Sequence, residues 1–227
     1  MSIFSVGKKI LYKYPQFLGF ISTIYNLCSR NSEKIKGKNN KISKSKSFFK
    51  RCKIKIIGNN NKIIFGEMSY FLNTNISIYG NNNTVYIGNK VYVNNGDFYL
   101  EDDNNNLTIN SKTTFAGYTH LALTEGTRII IGEDCLFSNN IVFRTGDSHS
   151  ILDINGNRTN FAKDIVISNH VWLTQNVTVL KGSTIADNSI IATGSIVTKQ
   201  FNNNNCLIAG NPAKVIKMDV NWCHERK

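Results

Sequence analysis

The stretch that decides the fold is Ile167–Asn202, which divides into units of six residues: ISNHVW, LTQNVT, VLKGST, IADNSI, IATGSI and VTKQFN. Every unit begins with an aliphatic residue: Ile167, Leu173, Val179, Ile185, Ile191 and Val197. The fifth residue of each unit is small or β-branched, except at Phe201. A period of six fits neither a helix nor an ordinary strand. Short strands separated by tight corners give this count, so the pattern predicts a parallel β-helix with the aliphatic residues inside.

The same period extends upstream of this stretch. IGEDCL at Ile131, FSNNIV at Phe137 and FRTGDS at Phe143 keep the register. Looser units begin at Ile87, Ile109 and Phe115. Still further upstream, Asn triplets occur at 59–61, 81–83 and 104–106. Because Asn tolerates a positive φ and forms turns, these triplets predict coils with slightly enlarged corners.

These patterns predict an all-β chain with four parts. An N-terminal amphipathic helix covers residues 1–28, and a basic polar segment covers 29–53. The β-helix covers 54–205, with a loop near 144–163, and a C-terminal tail covers 206–227. Pro212 in the tail cannot continue a strand ladder, so the last coil is expected to end before it.

The positive charge is concentrated in one region. The formal net charge is +12, and residues 30–55 hold 11 Lys and Arg against one acidic residue, Glu33. This region suits a polyanionic acceptor or an anionic membrane surface. No recognisable nucleic-acid-binding motif accompanies it, so a nucleic-acid partner is not predicted. The five scattered cysteines contain no CxxC pair, which favours reduced thiols in a cytoplasmic protein and argues against a zinc site.

The N-terminal segment Pro15–Leu27 is apolar but too short to span a membrane. Lysines lie on one side of the expected helix and apolar residues on the other: Lys8, Lys9 and Lys13 against Phe17, Phe20, Ile21 and Ile24. Such a helix packs on the main domain or a neighbouring subunit, or it makes peripheral contact with a membrane surface. The sequence leaves these alternatives open.

One stretch interrupts the repeat. Phe143–Asp153 reads FRTGDSHSILD, a run of small and polar residues with His149 near its centre. A histidine at such a break can leave the packed wall and face a cleft. Although an isolated histidine is usually an ordinary surface residue, this position favours a catalytic role.

The segment from Ile165 to Lys199, followed by IAGNPAKVIK, resembles the C-terminal half of the hexapeptide-repeat acyltransferases. The GDSHS segment and the GNNN coils most resemble the branch that O-acetylates bacterial capsule, O-antigen and other surface saccharides. The resemblance covers roughly Ile54 to Lys217. It implies a left-handed β-helix, acetyl-CoA as co-substrate, a saccharide acceptor, a homotrimer and no metal.

The resemblance also implies roles for residues near the break. His149 corresponds to the general base of the family, and Trp172 to a residue that lines the active site beside it. A subunit contact is the alternative for Trp172. Asp147 either orients the imidazole, as a carboxylate does in hydrolase triads, or simply forms a turn. His170, next to Trp172, is interpreted as a solvated corner residue.

Acetyl-CoA is expected along the later coils. The candidate cofactor-binding residues are Ser148, Ser150, Ala192, Thr193, Gly194, Thr198, Lys199, Lys214 and Lys217. The lysines among them would meet phosphates. Thr174 and Ala192 stand where the family usually has glycine or another small residue, which leaves the path of the cofactor less defined.

Three other functions are compatible with parts of the pattern. An N-acetyltransferase acting on an amino sugar could use the same fold and the same histidine. A γ-class carbonic anhydrase shares the fold, but it would need three zinc-ligating histidines, and the four histidines here do not reproduce its spacing. A non-catalytic β-solenoid would explain the repeat, but it would not explain the GDSHS segment.

Overall fold

Each coil of the chain contributes one short strand to each of three sheets, so that successive coils stack in register. The computed structural model describes residues 18–44 and 46–225. It contains one helix, α1 (Leu18–Leu27), followed by 25 strands. The first four coils contain β1 (Ser32–Lys36), β2 (Lys41–Ser43), β3 (Phe48–Lys50), β4 (Lys53–Ile57), β5 (Lys62–Phe65), β6 (Tyr70–Leu72), β7 (Asn75–Tyr79), β8 (Thr84–Ile87), β9 (Tyr92–Asn94), β10 (Gly96–Glu101), β11 (Asn106–Ile109) and β12 (Thr114–Phe115).

The later coils and the tail contain β13 (Thr119–Leu123), β14 (Arg128–Ile131), β15 (Leu136–Phe137), β16 (Ile141–Arg144), β17 (Ile165–Ile167), β18 (Trp172–Leu173), β19 (Thr178–Leu180), β20 (Thr184–Ile185), β21 (Ile190–Ile191), β22 (Ile196–Val197), β23 (Gln200–Phe201), β24 (Leu207–Gly210) and β25 (Ala213–Lys217).

The three sheets form a three-sided solenoid. The first sheet has the order β1-β4-β7-β10-β13-β16-β19-β22, and the second has the order β2-β5-β8-β11-β14-β17-β20-β23. The third sheet runs from β3 to β24 in steps of three strands, and β25 adds to its end in the antiparallel sense. The remaining neighbours in the described part of the chain are parallel, as the repeat predicted.

The core is the stack of inward residues that the hexads predicted. Their first residues, from Ile167 to Val197, are at most 1% exposed. The fifth residues are buried as well, including Phe201, which broke the small-residue pattern. Aromatic rings continue the core upstream, where Phe115 and Phe137 pack edge to face with their centroids 4.9 Å apart. Their burial removes apolar surface from water, which drives the coils to stack.

The predicted boundaries of the solenoid were wrong at both ends. β1, β2 and β3 form a complete first coil, and β1 pairs with β4 from Ser32↔Lys53 to Lys36↔Ile57. The predicted basic segment 29–53 therefore belongs largely to the solenoid. This coil has a neighbour on one side only and buries few residues, so the hexad pattern is faint in it. At the other end, β24 carries the eighth coil beyond residue 205 to Gly210.

The helix covers the described part of the predicted segment 1–28. α1 packs through Tyr25, whose ring meets Phe48 edge to face at 5.6 Å. Phe20, Ile24 and Leu27 remain exposed. The residues before Leu18, including the predicted lysine side of the helix, lie outside the described residues.

The Asn triplets form corners, as predicted, and in the triplets at 59–61 and 81–83 each position has a distinct role. In the third triplet the roles begin one residue earlier: Asp103 comes first, Asn104 has φ of 64°, and Asn105 is buried. The middle residue adopts a left-handed conformation, with φ of 58° at Asn60 and 57° at Asn82. The third residue is buried and accepts a hydrogen bond from the next coil: the Asn83 N–H donates to Asn61 Oδ1 at 2.9 Å. The first residue forms a parallel outer ladder. Stacked side-chain amides thus satisfy backbone groups that a corner would otherwise leave unpaired.

Candidate functional site

The interruption at GDSHS is an insertion in one corner of the solenoid. Thr178 on β19 pairs with Ile196 on β22, one regular coil further along the chain. Its other neighbour, Val142 on β16, is twice as far away in sequence. The corner between the first and second sheets therefore carries the length of one additional coil here, within residues 145–164. This extra length is a whole number of hexads, which explains why the register continues on both sides of the insertion.

Ion pairs attach the insertion to the corners of the two adjacent coils. On the preceding coil, Glu125 accepts hydrogen bonds from the Arg158 guanidinium and, at 3.2 Å, from the Ala162 N–H. On the following coil, Lys181 Nζ lies 2.5 Å from Asp147 Oδ2. Arg158 lowers the pKa of Glu125, and the hydrogen bonds from Lys181 and then from Asn160 lower the pKa of Asp147. Both carboxylates are thus held in the charged form.

The insertion has an outgoing leg, which leaves β16, and a returning leg, which leads to β17. His149 lies on the outgoing leg with its side chain exposed. Its carbonyl oxygen accepts a hydrogen bond of 2.8 Å from Asn160 Nδ2. Within residues 18–44 and 46–225, its ring makes no hydrogen bond or ion pair. The backbone of His149 is therefore fixed, while the imidazole is accessible to a substrate hydroxyl. A general base needs this combination.

Asp147 has a different set of partners from the one expected of an orienting carboxylate. Its Oδ2 accepts from Lys181 Nζ and, at 2.8 Å, from Asn160 Nδ2. In the described chain it makes no hydrogen bond to the His149 ring. The carboxylate therefore ties the insertion to the solenoid. In the described chain the carboxylate makes neither the predicted bond to the imidazole nor a bond within a turn.

An open cleft of about 530 Å³ lies between the insertion and the outer face of the first sheet. Gly146, Asp147 and Ser148 border it on one side, and Tyr99 and His120 on the other. The other lining residues include Glu101, Asp102 and Arg144. A volume of this order suits a saccharide unit with several polar groups.

His149 is not among the residues that line this cleft, but another histidine is. His120 Nδ1 lies 2.9 Å from Asp97 Oδ2, and the two residues are directly opposite each other on β13 and β10. Sequence reasoning missed this pair because Asp97 and His120 are separated by one full coil. A carboxylate on one ring nitrogen sets the tautomer, which leaves the other nitrogen available to the cleft.

Trp172 is on the outer face of the third sheet, where β18 lies between β15 and β21. It is half-buried, and its ring centroid lies 5.9 Å from that of Trp222. In a three-sided cross-section, the third sheet is opposite the corner that carries the insertion. The Trp172 and His149 side chains of one chain therefore do not share a cleft.

His170 is not the solvated corner residue that was predicted. Its Nδ1 lies 2.8 Å from Asp134 Oδ2, and its ring stacks on Trp222 with centroids 4.2 Å apart. Trp222 in turn donates a 2.8 Å hydrogen bond from Nε1 to the His170 carbonyl oxygen. The C-terminal tail therefore folds back onto this corner. The sequence pattern missed Trp222 because the tail follows the repeat and has no period of its own.

The candidate cofactor-binding residues fall in four places. Ser148 and Ser150 are exposed on the insertion, where Ser148 Oγ accepts from Arg144 at 3.1 Å. Ala192, Thr193 and Gly194 form a corner between the third and first sheets. Thr198 and Lys199 form a corner between the first and second sheets, on the edge that carries the insertion. Lys214 and Lys217 lie on β25.

Two of these lysines come together. Lys199 and Lys214 line a cleft of about 520 Å³ at the C-terminal end of the solenoid, together with Phe201. Two ammonium groups in one cleft suit phosphate oxygens. Ala192–Gly194 lie on a different edge of the same chain, so one chain does not bring all the predicted contacts together.

Neither a metal-binding cluster nor a membrane-spanning helix occurs in the described part of the chain. Among residues 18–44 and 46–225, no three or more His, Cys, Asp or Glu side chains converge as a group that could hold a metal ion. The described helix is not long and apolar enough to cross a membrane. All five cysteines are free, and Cys52, Cys135 and Cys206 are buried.

No protein-family model matches the chain. The structure is, however, similar to that of the polysialic acid O-acetyltransferase OatWY, with a TM-score of 0.83 and 36% sequence identity. The similarity covers 87% of this chain and 92% of that one. This chain belongs to the hexapeptide-repeat O-acetyltransferases. The membership confirms the predicted left-handed β-helix and the predicted family.

Curated relatives of this hexapeptide-repeat chain point in the same direction. A polysialic acid O-acetyltransferase of Escherichia coli O1:K1 is 36% identical over 117 residues, which are 51% of this chain and 38% of the relative. Another, from Neisseria meningitidis, is 37% identical over 113 residues, which are 49% of this chain and 52% of the relative. The chain thus spans about half or less of the length of these two relatives.

Proposed function

We propose that the protein is an acetyl-CoA-dependent O-acetyltransferase that acts on a hydroxyl of a bacterial surface saccharide, with His149 as the general base. The observation that carries this proposal is the exposed His149 ring on a fixed insertion beside an open cleft, in a chain similar to a polysialic acid O-acetyltransferase over nearly its whole length.

The chemistry requires one proton carrier. The imidazole of His149 accepts the proton of the acceptor hydroxyl while the hydroxyl oxygen forms a bond to the thioester carbonyl carbon. The carbon–sulfur bond then breaks, and the imidazolium returns the proton to the departing sulfur.

The charges of the first sheet support an acidic acceptor. On the outer face of this sheet, paired residues of neighbouring strands form one column. Its members are Lys34, Lys55, Ser77, Tyr99, Ala122 and Arg144. The column has cations at both ends and reaches the cleft at Tyr99 and Arg144. Since the cleft has more carboxylates than cations, an acidic saccharide would place its carboxylates along this column, near Arg144 and the lysines and away from Glu101 and Asp102.

The separation of His149 from Trp172 supports a homotrimer. Since the two side chains lie on opposite sides of one chain, an active site that contains both needs residues from two subunits. A head-to-tail contact that closes into a ring brings the insertion of one chain to the third sheet of the next. The same arrangement lets acetyl-CoA meet the Ala192–Gly194 corner of one subunit and the insertion edge of another.

The location of the protein is part of this proposal. A cytoplasmic location fits the use of acetyl-CoA. The exposed Phe20, Ile24 and Leu27 of α1 support peripheral contact with a membrane surface, where lipid-linked saccharides are made.

The test is acceptor-dependent release of thiol from acetyl-CoA, with polysialic acid, a neutral saccharide and an amino sugar as acceptors. His149→Ala is expected to lower kcat by about 100-fold or more, because a general base contributes a factor of that order. His120→Ala is measured beside it, since His120 is the histidine that lines this cleft in the described chain, whereas His149 follows the lining residue Ser148. Retained activity in His149→Ala would remove His149 as the base, and turnover of the amino sugar alone would overturn O-acetylation.

A further inference from the structure

The insertion contains two buried polar residues, Thr145 at its start and Asn160 on its way back to the solenoid. Asn160 is 8% exposed, although it lies between the exposed residues Thr159 and Phe161. Its Oδ1 accepts a hydrogen bond of 2.7 Å from the Ile151 N–H. Its Nδ2 donates at 2.8 Å both to the His149 carbonyl oxygen and to Asp147 Oδ2. The side-chain amide thus uses both donor hydrogens and its acceptor.

Two of these bonds hold the backbone on both sides of Ser150. The carbonyl of His149 and the N–H of Ile151 meet the same amide, in the way that a neighbouring strand would meet them. This contact fixes the backbone torsions between the two residues and hence the direction of the Cα–Cβ bond of His149. A buried hydrogen bond of this kind gains strength from its low-dielectric surroundings.

Lys181 connects this arrangement to the solenoid. Its Nζ donates to Asp147 Oδ2 at 2.5 Å and to the Asn160 carbonyl oxygen at 2.9 Å. One side chain from the following coil therefore holds the outgoing leg of the insertion at Asp147 and the returning leg at Asn160. Both legs thereby gain a fixed position relative to the packed core.

The tip of the insertion is held separately. Asp153 Oδ1 accepts from the N–H groups of Asn155 and Asn157, each at 2.8 Å. In the described chain, the Asn155 side chain makes no hydrogen bond of its own. The tip therefore has its own local turn, and the contacts of Asn160 concern the legs.

We propose that Asn160 is a positioning residue for His149, with Lys181 as the anchor that joins it to the solenoid. The proposal rests on the proposed function, in which His149 is the base. It assigns to Asn160 no contact with substrate. Its effect on the reaction passes through the backbone of His149, so its loss misplaces the imidazole and leaves the substrate sites intact.

Asn160→Asp is the sharpest variant, because the side chain keeps its shape and its acceptor but loses both donors. Asn155→Asp is the matched control, with the same change of charge in the same insertion. We expect Asn160→Asp to lower kcat by about 10- to 100-fold with the KM for acetyl-CoA nearly unchanged, since small displacements of a catalytic group have effects of this size. Asn155→Asp is expected to keep the wild-type kcat.

The double variant His149→Ala/Asn160→Asp decides whether the effect passes through His149. Residues that act as a unit are not additive, so the double variant is expected to match His149→Ala. If Asn160→Asp lowers kcat by the same factor in the wild type and in His149→Ala, the proposal is overturned. A variant that raises KM and leaves kcat unchanged would also overturn it. If His149→Ala itself keeps full activity, the proposed function has failed, and this outcome is distinct from the other two.

A second pair of variants guards against misfolding of Asn160→Asp. Lys181→Met removes the anchor and leaves the Asn160 amide in place, while Lys181→Arg keeps a cation that can donate to both legs. We expect Lys181→Met to lower kcat and Lys181→Arg to restore most of it. Equal kcat in Lys181→Met and the wild type would show that the anchor has no part in positioning His149.

Discussion

The two halves of the solenoid build the same three-sided coil with different corners. In the early half the coils are longer: Ile54 pairs with Ile76, and the corner after the first sheet contains Asn triplets. In the late half the coils are shorter: Thr178 pairs with Ile196, and the corresponding corners are KGS and TK. The sheets align in spite of this difference, because each strand keeps its inward residue in register with the next coil.

The two halves differ in how much polar side chains stabilise their corners. An early corner has room for a buried amide, which binds the backbone of the following coil. Asn83 Oδ1 accepts from the Asn105 N–H at 2.8 Å, and Asn83 Nδ2 donates to the Asp102 carbonyl at 3.0 Å. The corresponding late corner is too short for this ladder. There Ser183 Oγ donates a single hydrogen bond, of 3.1 Å, to the Val197 carbonyl oxygen.

The largest expected difference between the halves concerns glycine. Gly58 has φ of 143°, and a Cβ there would lie 1.8 Å from the Gly80 carbonyl oxygen. Gly58→Ala is expected to lower the free energy of unfolding by about 3–5 kcal/mol, from backbone strain and the forced separation of two coils. Gly194 has φ of 74° and nothing within 4 Å of a Cβ, so Gly194→Ala is expected to cost about 1–2 kcal/mol.

Urea unfolding of both glycine variants, with hydrogen exchange to locate the weakened coils, measures this difference. Similar losses for Gly58→Ala and Gly194→Ala would contradict the idea that the early corners are packed backbone against backbone while the late ones are open.

The next difference concerns the corner side chains. Asn83→Ala leaves the buried N–H of Asn105 without its partner and removes the hydrogen bond to the Asp102 carbonyl, and is expected to cost about 3 kcal/mol. Ser183→Ala removes a single hydrogen bond to the Val197 carbonyl and is expected to cost about 1 kcal/mol. The same unfolding experiment compares them. A loss for Ser183→Ala as large as that for Asn83→Ala would show that the two halves use their corner side chains in the same way.

The smallest expected effect is a pH dependence of stability that the insertion shows and the regular corners do not. The buried ladder of Asn61, Asn83 and Asn105 contains no titratable group, whereas Asp147 and Glu125 hold the insertion with lowered pKa values. Their stabilisation is fully present above the ordinary carboxyl range, about pH 4, and is lost as the pH falls through the lowered folded-state pKa values. Hydrogen exchange in residues 145–164 is expected to be uniform from pH 5 to 8, after correction for intrinsic rates, and faster below about pH 4.

If hydrogen exchange at low pH rises in the Asn corners as much as in the insertion, the whole solenoid loosens and the prediction is wrong. Lys181→Met provides the matched control for Asp147. Since it removes the main cause of the lowered pKa, it is expected to move the release of the insertion toward higher pH.

The sequence predicted those parts of the candidate site that interrupt or follow the repeat, and it missed those that have no relation to the period. The break at GDSHS located the insertion, because a lost period is visible in the sequence. The partner of Asp147 was not visible, since Lys181 lies on the next coil and belongs to an ordinary corner. Asn160 was missed for the same reason: its three partners are 9 to 13 residues away along a loop without a period.

The sequence by itself determined the period, the inward residues, the Asn corners and the place of the insertion, because each of these depends on residues close together in the chain. The tertiary structure decided where the solenoid begins, since the first coil is recognised by pairing and not by buried residues. It also decided that Asp147 anchors a loop, that the His170 ring stacks on Trp222, and that His149 and Trp172 face opposite sides of the solenoid. These features depend on which coils become neighbours, and contacts between coils join residues that no local pattern connects.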